Sequence, residues 1–304
     1  MERKLVKQGN DKNRSFTTTL PIQWIKNNDL ENNLKINLEI IDNKILISSK
    51  ELKDETTTIN AKNIDFILQK IIAEKYKLGL NEILIRFEKI ETLDLIRNVV
   101  EKELIGFEIF EQTKTKCKIC DVTKEGIEKF EKTLERSLHT LSTITDETIK
   151  ALKEDDRSYL KRLIAKDKDL NKLVFFCERQ LNKKSQEYHG KIQFYFFLLE
   201  RIENIGDTNK GIINFYLDQK NKMQDSTIKV LEEINKRIKE FNKIIFTKQI
   251  SYEEIKEFFE KLQKTRNKLL QLYSPRNKDI KYLYYMGSMI QFLKGAIRAT
   301  YTLK

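Results

Sequence analysis

Hydrophobic and polar positions change period twice along this 304-residue chain. Over the first fifty residues the period is short. ERKLVKQ and RSFTTTL alternate or are rich in β-branched residues, and the turn cluster GNDKN separates them, so they read as two strands. LPIQWIKNNDL follows, with Pro21 suited to the first turn of a helix and Ile22, Trp24 and Ile25 on its apolar side. KINLEII and KILISS then read as a hairpin turning at Asp42-Asn43. A β-β-α-β-β unit of this size has too little core to stand alone, so the pattern predicts a unit that dimerises.

Residues 62–122 mix the two periods. NIDFILQKIIAEKYKLG predicts a helix with Ile64, Ile67, Leu68, Ile71 and Ile72 inward, closed by Gly79. NEILIRFE predicts a strand, TLDLIRNVVEKEL a helix with Thr92 as its N-cap, and GFEIFEQ and KCKICDV two more strands. This is a small α/β module whose strands can extend the preceding sheet. From Thr123 onward the period is helical, and six helices are predicted at 124–153, 157–186, 190–219, 222–247, 252–274 and 277–302. Short connections between them imply antiparallel neighbours, and six helices fit two stacked three-helix bundles. The expected fold class is α+β, with domains at 1–50, 51–122 and 123–304.

Composition narrows the function classes. Two prolines and nine glycines permit long helices. No run of about 18 apolar residues is present, so no spanning helix is expected. MERKLVKQGND lacks the apolar core of a signal peptide, which gives the expectation of a cytoplasmic protein. Cys117 and Cys120 form a lone C-x-x-C without two further zinc ligands nearby, and the alternation of TKCKICDV turns the two thiols to opposite faces. Cys177 is isolated, and His139 and His189 make no cluster. Residues 62–122 show no phosphate loop, nucleophile elbow or carboxylate pair with catalytic context, and the expectation is a protein that is not an enzyme.

The formal net charge is +12, and part of it is concentrated. Residues 1–26 hold six cations, Arg3, Lys4, Lys7, Lys12, Arg14 and Lys26, against Glu2 and Asp11, a local net charge of +4. Most of these lie on the first strand pair, and a basic strand pair can enter or flank a major groove. The segments RKLVKQGN, RSFTTTLPIQWIKNNDL, LKINLEI and KILIS resemble an AbrB-type (SpoVT-AbrB) swapped-hairpin domain over about residues 1–50. The resemblance implies a DNA-binding homodimer, with Arg3, Lys4, Lys7, Lys12 and Arg14 as the residues that meet DNA. Family members commonly carry Gly-Asp where this chain has Asn33-Leu34, and Asn33 tolerates a left-handed turn.

The third long helix contains RIENIGDTNKG, residues 201–211, where an apolar stripe through Phe196 and Leu199 runs into Glu203 and then Asp207. Two carboxylates four residues apart share a face and repel. Residue chemistry leaves two readings: a solvated face paired with Arg201 or Lys210, or a site for a cation. Gly206 inside the helix hints at a close helix contact. LLERIENIGDTNKGI resembles the helix motif of PhoU-type phosphate-uptake regulators, and AKDKDLNKLVFFCERQL resembles its companion helix. That resemblance implies tandem three-helix bundles whose acidic motifs can hold a metal cluster, here through Asp167, Glu203 and Asp207, with a divalent metal or iron as the cofactor. The chain departs from the motif at Asn171, and in the second repeat Lys294 and Gly295 stand where acids belong.

The order AbrB-like, α/β and PhoU-like resembles an architecture of archaeal regulators. It implies a DNA-binding transcriptional regulator of phosphate uptake or a related metabolic response, with a phosphate-transport component or a kinase as partner. The rival reading is a regulator that binds a transporter or kinase and has no direct DNA role.

Overall fold

Val6–Gln8 (β1) and Ser15–Thr17 (β2) pair antiparallel, with Lys7 opposite Phe16. They are followed by Ile22–Asn27 (α1), entered through Pro21 at φ −62°. Asn37–Ile41 (β3) and Lys44–Ser48 (β4) form a second antiparallel ribbon, with Ile41 opposite Lys44. The computed structural model describes residues 2–9, 14–32, 34–41, 44–49, 56–123, 130–185, 188, 190–247 and 249–303. Asp42-Asn43, Lys12, Asn33, His189 and the expected helix start at 124 therefore lie outside the described residues. The chain divides into two compact units, 1–53 and 54–304.

In the first unit the ribbons are two-stranded, a form that is marginal in water by itself. Ser49 Oγ donates to Asn28 Oδ1 at 2.8 Å and Asn28 Nδ2 donates to the Trp24 carbonyl at 2.8 Å, which ties α1 to the end of β4. Among the described residues of this unit only Leu30 is buried.

The second unit begins with Thr56–Asn60 (β5), a strand the sequence pattern does not announce. Its TTTIN sequence is short and mostly polar, and it forms because it lies parallel beside Glu82–Arg86 (β6) after the crossover of Asp65–Lys77 (α2). Thr92–Glu103 (α3), Phe107–Gln112 (β7) and Lys116–Asp121 (β8) complete a sheet of order β5-β6-β8-β7. Ile83 and Ile85 of β6 and Cys117 and Ile119 of β8 are fully buried. Cys120 turns away from Cys117, with its Sγ 4.0 Å from Glu82 Oε2, as strand alternation requires. Gly79 closes α2 at φ +93°, a conformation glycine adopts without strain. Thr92 is not the N-cap of α3. Glu91 holds that position without a side-chain cap, and Thr92 Oγ1 instead donates to Asp65 Oδ1 of α2 at 3.3 Å.

The remaining chain forms helices at Phe130–Glu154 (α4), Arg157–Lys183 (α5), Ile192–Asp218 (α6), Asp225–Phe246 (α7), Tyr252–Leu272 (α8) and Ile280–Leu303 (α9). Asp156 caps α5 by accepting from the Tyr159 N–H at 2.9 Å, and Ser251 with Glu254 makes a capping box on α8. Helices α4, α5 and α6 pack on one another, as do α7, α8 and α9, and the two sets join along α6–α9 and α4–α7. The small sheet does not stand apart from them. Helix α5 packs on both α2 and α3, so residues 54–304 share one core. No helix of the described residues is long and apolar enough to cross a membrane.

Candidate functional site

Two places carry the chemistry the sequence singles out, one in each unit. In the first, Arg3, Lys4, Lys7 and Arg14 are all exposed, with Lys7 on β1 and Arg14 one residue before β2. Lys7 and Phe16 share a face of the ribbon because directly paired residues point to the same side. Phe16 is 56 % exposed, Ile40 79 % and Leu34 87 %. Basic and apolar side chains therefore both stand uncovered in this unit.

In the second unit the acidic candidates fall into two groups. Helices α5 and α6 approach closely because Gly206 has no side chain: a Cβ there would come within 2.5 Å of Leu170 Cδ2. Above that contact lies Asp167, only 3 % exposed. Its Oδ2 accepts from Lys210 Nζ at 2.7 Å, and Lys210 also reaches Asp207 Oδ1 at 3.8 Å. Asp167 and Asp207 are thus brought together around an ammonium supplied one turn further along α6. Asp167 Oδ1 and Asn171 Oδ1 are buried without a hydrogen-bond partner.

Glu203 belongs to the other group. It faces Glu178 of α5, whose Oε2 is 3.1 Å from Lys77 Nζ of α2, with Glu74 also near. Lys77 lies over the Phe175 ring at 4.8 Å from its centroid. Burial pushes the Glu203 carboxyl up to about 7, and the nearby Glu178 and Asp207 charges push in the same direction against Lys77. Burial likewise raises Glu178 and Asp207 above the ordinary carboxylate range. Arg201, the other cation considered as a partner, instead stacks its guanidinium over Phe197 at 4.4 Å and Phe292 at 5.5 Å.

No three His, Cys, Asp or Glu side chains among the described residues come together in a way that can hold a metal ion. Asp167, Glu203 and Asp207 do not fit a metal cluster in this arrangement. Lys210 stands where a cation between Asp167 and Asp207 would go, and Glu203 turns to Glu178.

The chain matches no family model, no curated protein and no solved structure. The reading of both places therefore rests on their own geometry.

That geometry also shows a cluster the sequence reading passed over. Arg179, 2 % exposed on α5, donates from Nη1 to the carbonyls of Tyr76 at 3.0 Å and Leu80 at 2.7 Å. Its Nη2 donates to Asn81 Oδ1 at 3.2 Å and Asp121 Oδ2 at 2.6 Å, and the guanidinium lies over the Tyr76 and Phe107 rings. Burial pushes the Asp121 carboxyl up, yet hydrogen bonds from Thr123 and Arg179 hold it below its ordinary value. Arg179 clasps the sheet module to the helical bundle. Its signal was present in VFFCER, a charged pair ending an unbroken apolar run.

The raised Glu203 carboxyl sets a pH dependence. Between its unfolded value near 4.5 and about 7 the folded state holds a proton that the unfolded state has released. Stability from this group therefore falls as pH rises through that window and stays lowered above it. Glu203→Gln is expected to stabilise the protein at pH 8 by about 2 kcal/mol, after allowing for partial solvent screening, and to be nearly neutral at pH 5. Urea unfolding of both proteins at the two pH values checks this. An equal effect at both would show that Glu203 meets water freely.

Proposed function

We propose that this protein is a DNA-binding regulator that acts as a homodimer, its N-terminal unit on the duplex and its helical region receiving a partner signal. One observation carries the reading. The first unit leaves Arg3, Lys4, Lys7 and Arg14 and most of its described apolar side chains exposed together. A unit so poor in core needs a second copy to cover Phe16, Ile40 and their neighbours. Pairing two copies sets two basic hairpins side by side, the arrangement a two-fold symmetric duplex site requires. The resemblance to AbrB-type domains supports DNA as the anion, and the resemblance to PhoU-type regulators supports phosphate uptake or a related response as the process controlled. The paired three-helix sets agree with the second resemblance.

The dimer half of this reading has a direct test. A chain beginning at Asp54 keeps the larger compact unit and loses the first. Light scattering should give it half the mass per particle that the full chain shows, within the difference in chain length. The same assembly state for both would place the dimer contact elsewhere. The DNA half is tested by titrating the full chain against labelled genomic fragments over a salt series. Binding that does not weaken with salt would remove the phosphate backbone as its target.

A further inference from the structure

Helix-interior glycines in residues 130–303 have visible reasons, with one exception. A Cβ on Gly206 would meet Leu170 at 2.5 Å, on Gly211 Tyr285 at 2.9 Å, and on Gly295 Arg201 at 3.3 Å. These three let α5, α6 and α9 approach closely. Gly287, two turns into α9, would meet nothing within 4 Å. Glycine is the least favourable helix residue after proline, and no close approach by a described residue explains its use here.

Gly287 borders a groove between α8 and α9. Two adjoining hollows of about 350 and 520 Å³ share Arg266 and Gln291 and run along both helices. The first is flanked by exposed apolar side chains, Tyr284 at 65 % and Leu270 at 47 %, together with Tyr273. Its charge is one-sided. Arg266 and Lys294 make no ion pair or hydrogen bond with any described residue, and the one acid in the lining, Glu260, is 3.9 Å from Lys256.

We propose that this groove seats an amphipathic helix of another protein, apolar toward Tyr284 and Leu270 and acidic along the edge that meets Arg266 and Lys294. Its backbone passes closest at Gly287, where the missing side chain makes room. The observations converge on that occupant. A concave channel along two helices suits the helix-in-groove mode of recognition, with anchors at i, i+3, i+4 and i+7. Unpaired cations at its margin select an acidic partner and oppose a second copy of this chain, which carries a net charge of +12. The proposal rests on the reading of the helical region as the half that receives a partner.

The test uses the full chain and a fluorescein-labelled 18-residue helical peptide, with Leu and Phe at i, i+3, i+4 and i+7 and Glu along the flanks. A second peptide carries Lys in place of every Glu. The acidic peptide is expected to bind at least about tenfold tighter than the basic one. Gly287→Leu fills open space, so the protein should fold and lose the acidic peptide. Gly287→Ala should raise the melting temperature by roughly 2 °C while weakening the peptide, a gain in stability at the expense of binding. Arg266→Glu with Lys294→Glu should reverse the peptide preference. Equal binding of both peptides, binding untouched by Gly287→Leu, or capture instead by vesicles of phosphatidylglycerol and phosphatidylcholine would overturn the proposal. So would light scattering in which Gly287→Leu dissociates the full-length dimer. Absence of DNA binding in the salt titration would refute the DNA-binding reading and leave these peptide measurements unmoved.

Discussion

Replacing Arg3, Lys4, Lys7 and Arg14 together by alanine is expected to lower the salt slope of DNA binding by about 3.6 per protomer, since each lost phosphate contact removes about 0.9. At about 0.1 M salt that corresponds to an affinity loss on the order of a thousandfold. All four side chains are exposed, so the loss should come without a change in folding. The slope separates two origins of a basic hairpin. A hairpin that meets phosphates releases counterions on binding, and its removal flattens the slope. A hairpin that is basic only because the whole chain is basic leaves the slope where it was. Fluorescence anisotropy over a salt series on both proteins, with circular dichroism as the folding control, gives the answer. An unchanged slope with the four side chains gone refutes the DNA reading of this unit.

Arg179→Ala is expected to destabilise the protein by about 4 kcal/mol. The reason lies in what the substitution leaves behind. Asp121 would remain largely buried, its side chain 10 % exposed, with Lys183 at 3.3 Å as its remaining ion-pair partner. The carbonyls of Tyr76 and Leu80 would lose their donor, and the Tyr76 and Phe107 rings their stacked cation. Arg179→Lys keeps a charge but not the planar fork that serves four acceptors at once, so it should recover only part of the loss. Arg179→Met with Asp121→Asn removes both charges and should be much less damaging than Arg179→Ala alone. Urea unfolding of the three variants measures this order. Equal stability of Arg179→Ala and the parent would mean that the sheet module and the bundle hold together by apolar contact alone.

These two sites differ in how far they could be read in advance. The basic hairpin was legible because charge and alternation are local properties. Lys7 and Arg14 lie on or beside strands wherever the rest of the chain goes. Arg179 was not legible as a clasp, because its acceptors come from α2, the segment after it and β8, far away in sequence. A sequence shows that an arginine ends an apolar run, and only packing shows that it ends inside a core.

The same division holds for the fold. By itself the sequence determined the long helices after residue 130, whose predicted and observed spans differ by a few residues at most within the described chain. A helix satisfies its own backbone, so its period is written in consecutive residues. It also determined that Gly206 marks a close contact, since a mid-helix glycine carries a conformational cost that packing has to offset. Tertiary structure alone decided that TTTIN is a strand, because a strand's hydrogen bonds lie on its neighbour β6. It decided that Thr92 serves Asp65 and is not a cap. It also decided the split between the acids of α5 and α6. Glu203 and Asp207 are alike in sequence, four residues apart on one helix. Asp207 meets Lys210, while Glu203 lies near Glu178 and Lys77 from two other helices, and burial first and the Glu178 charge second raise its carboxyl against the pull of Lys77. Charge and spacing are properties of the chain, but the dielectric around a charge is a property of what folds over it.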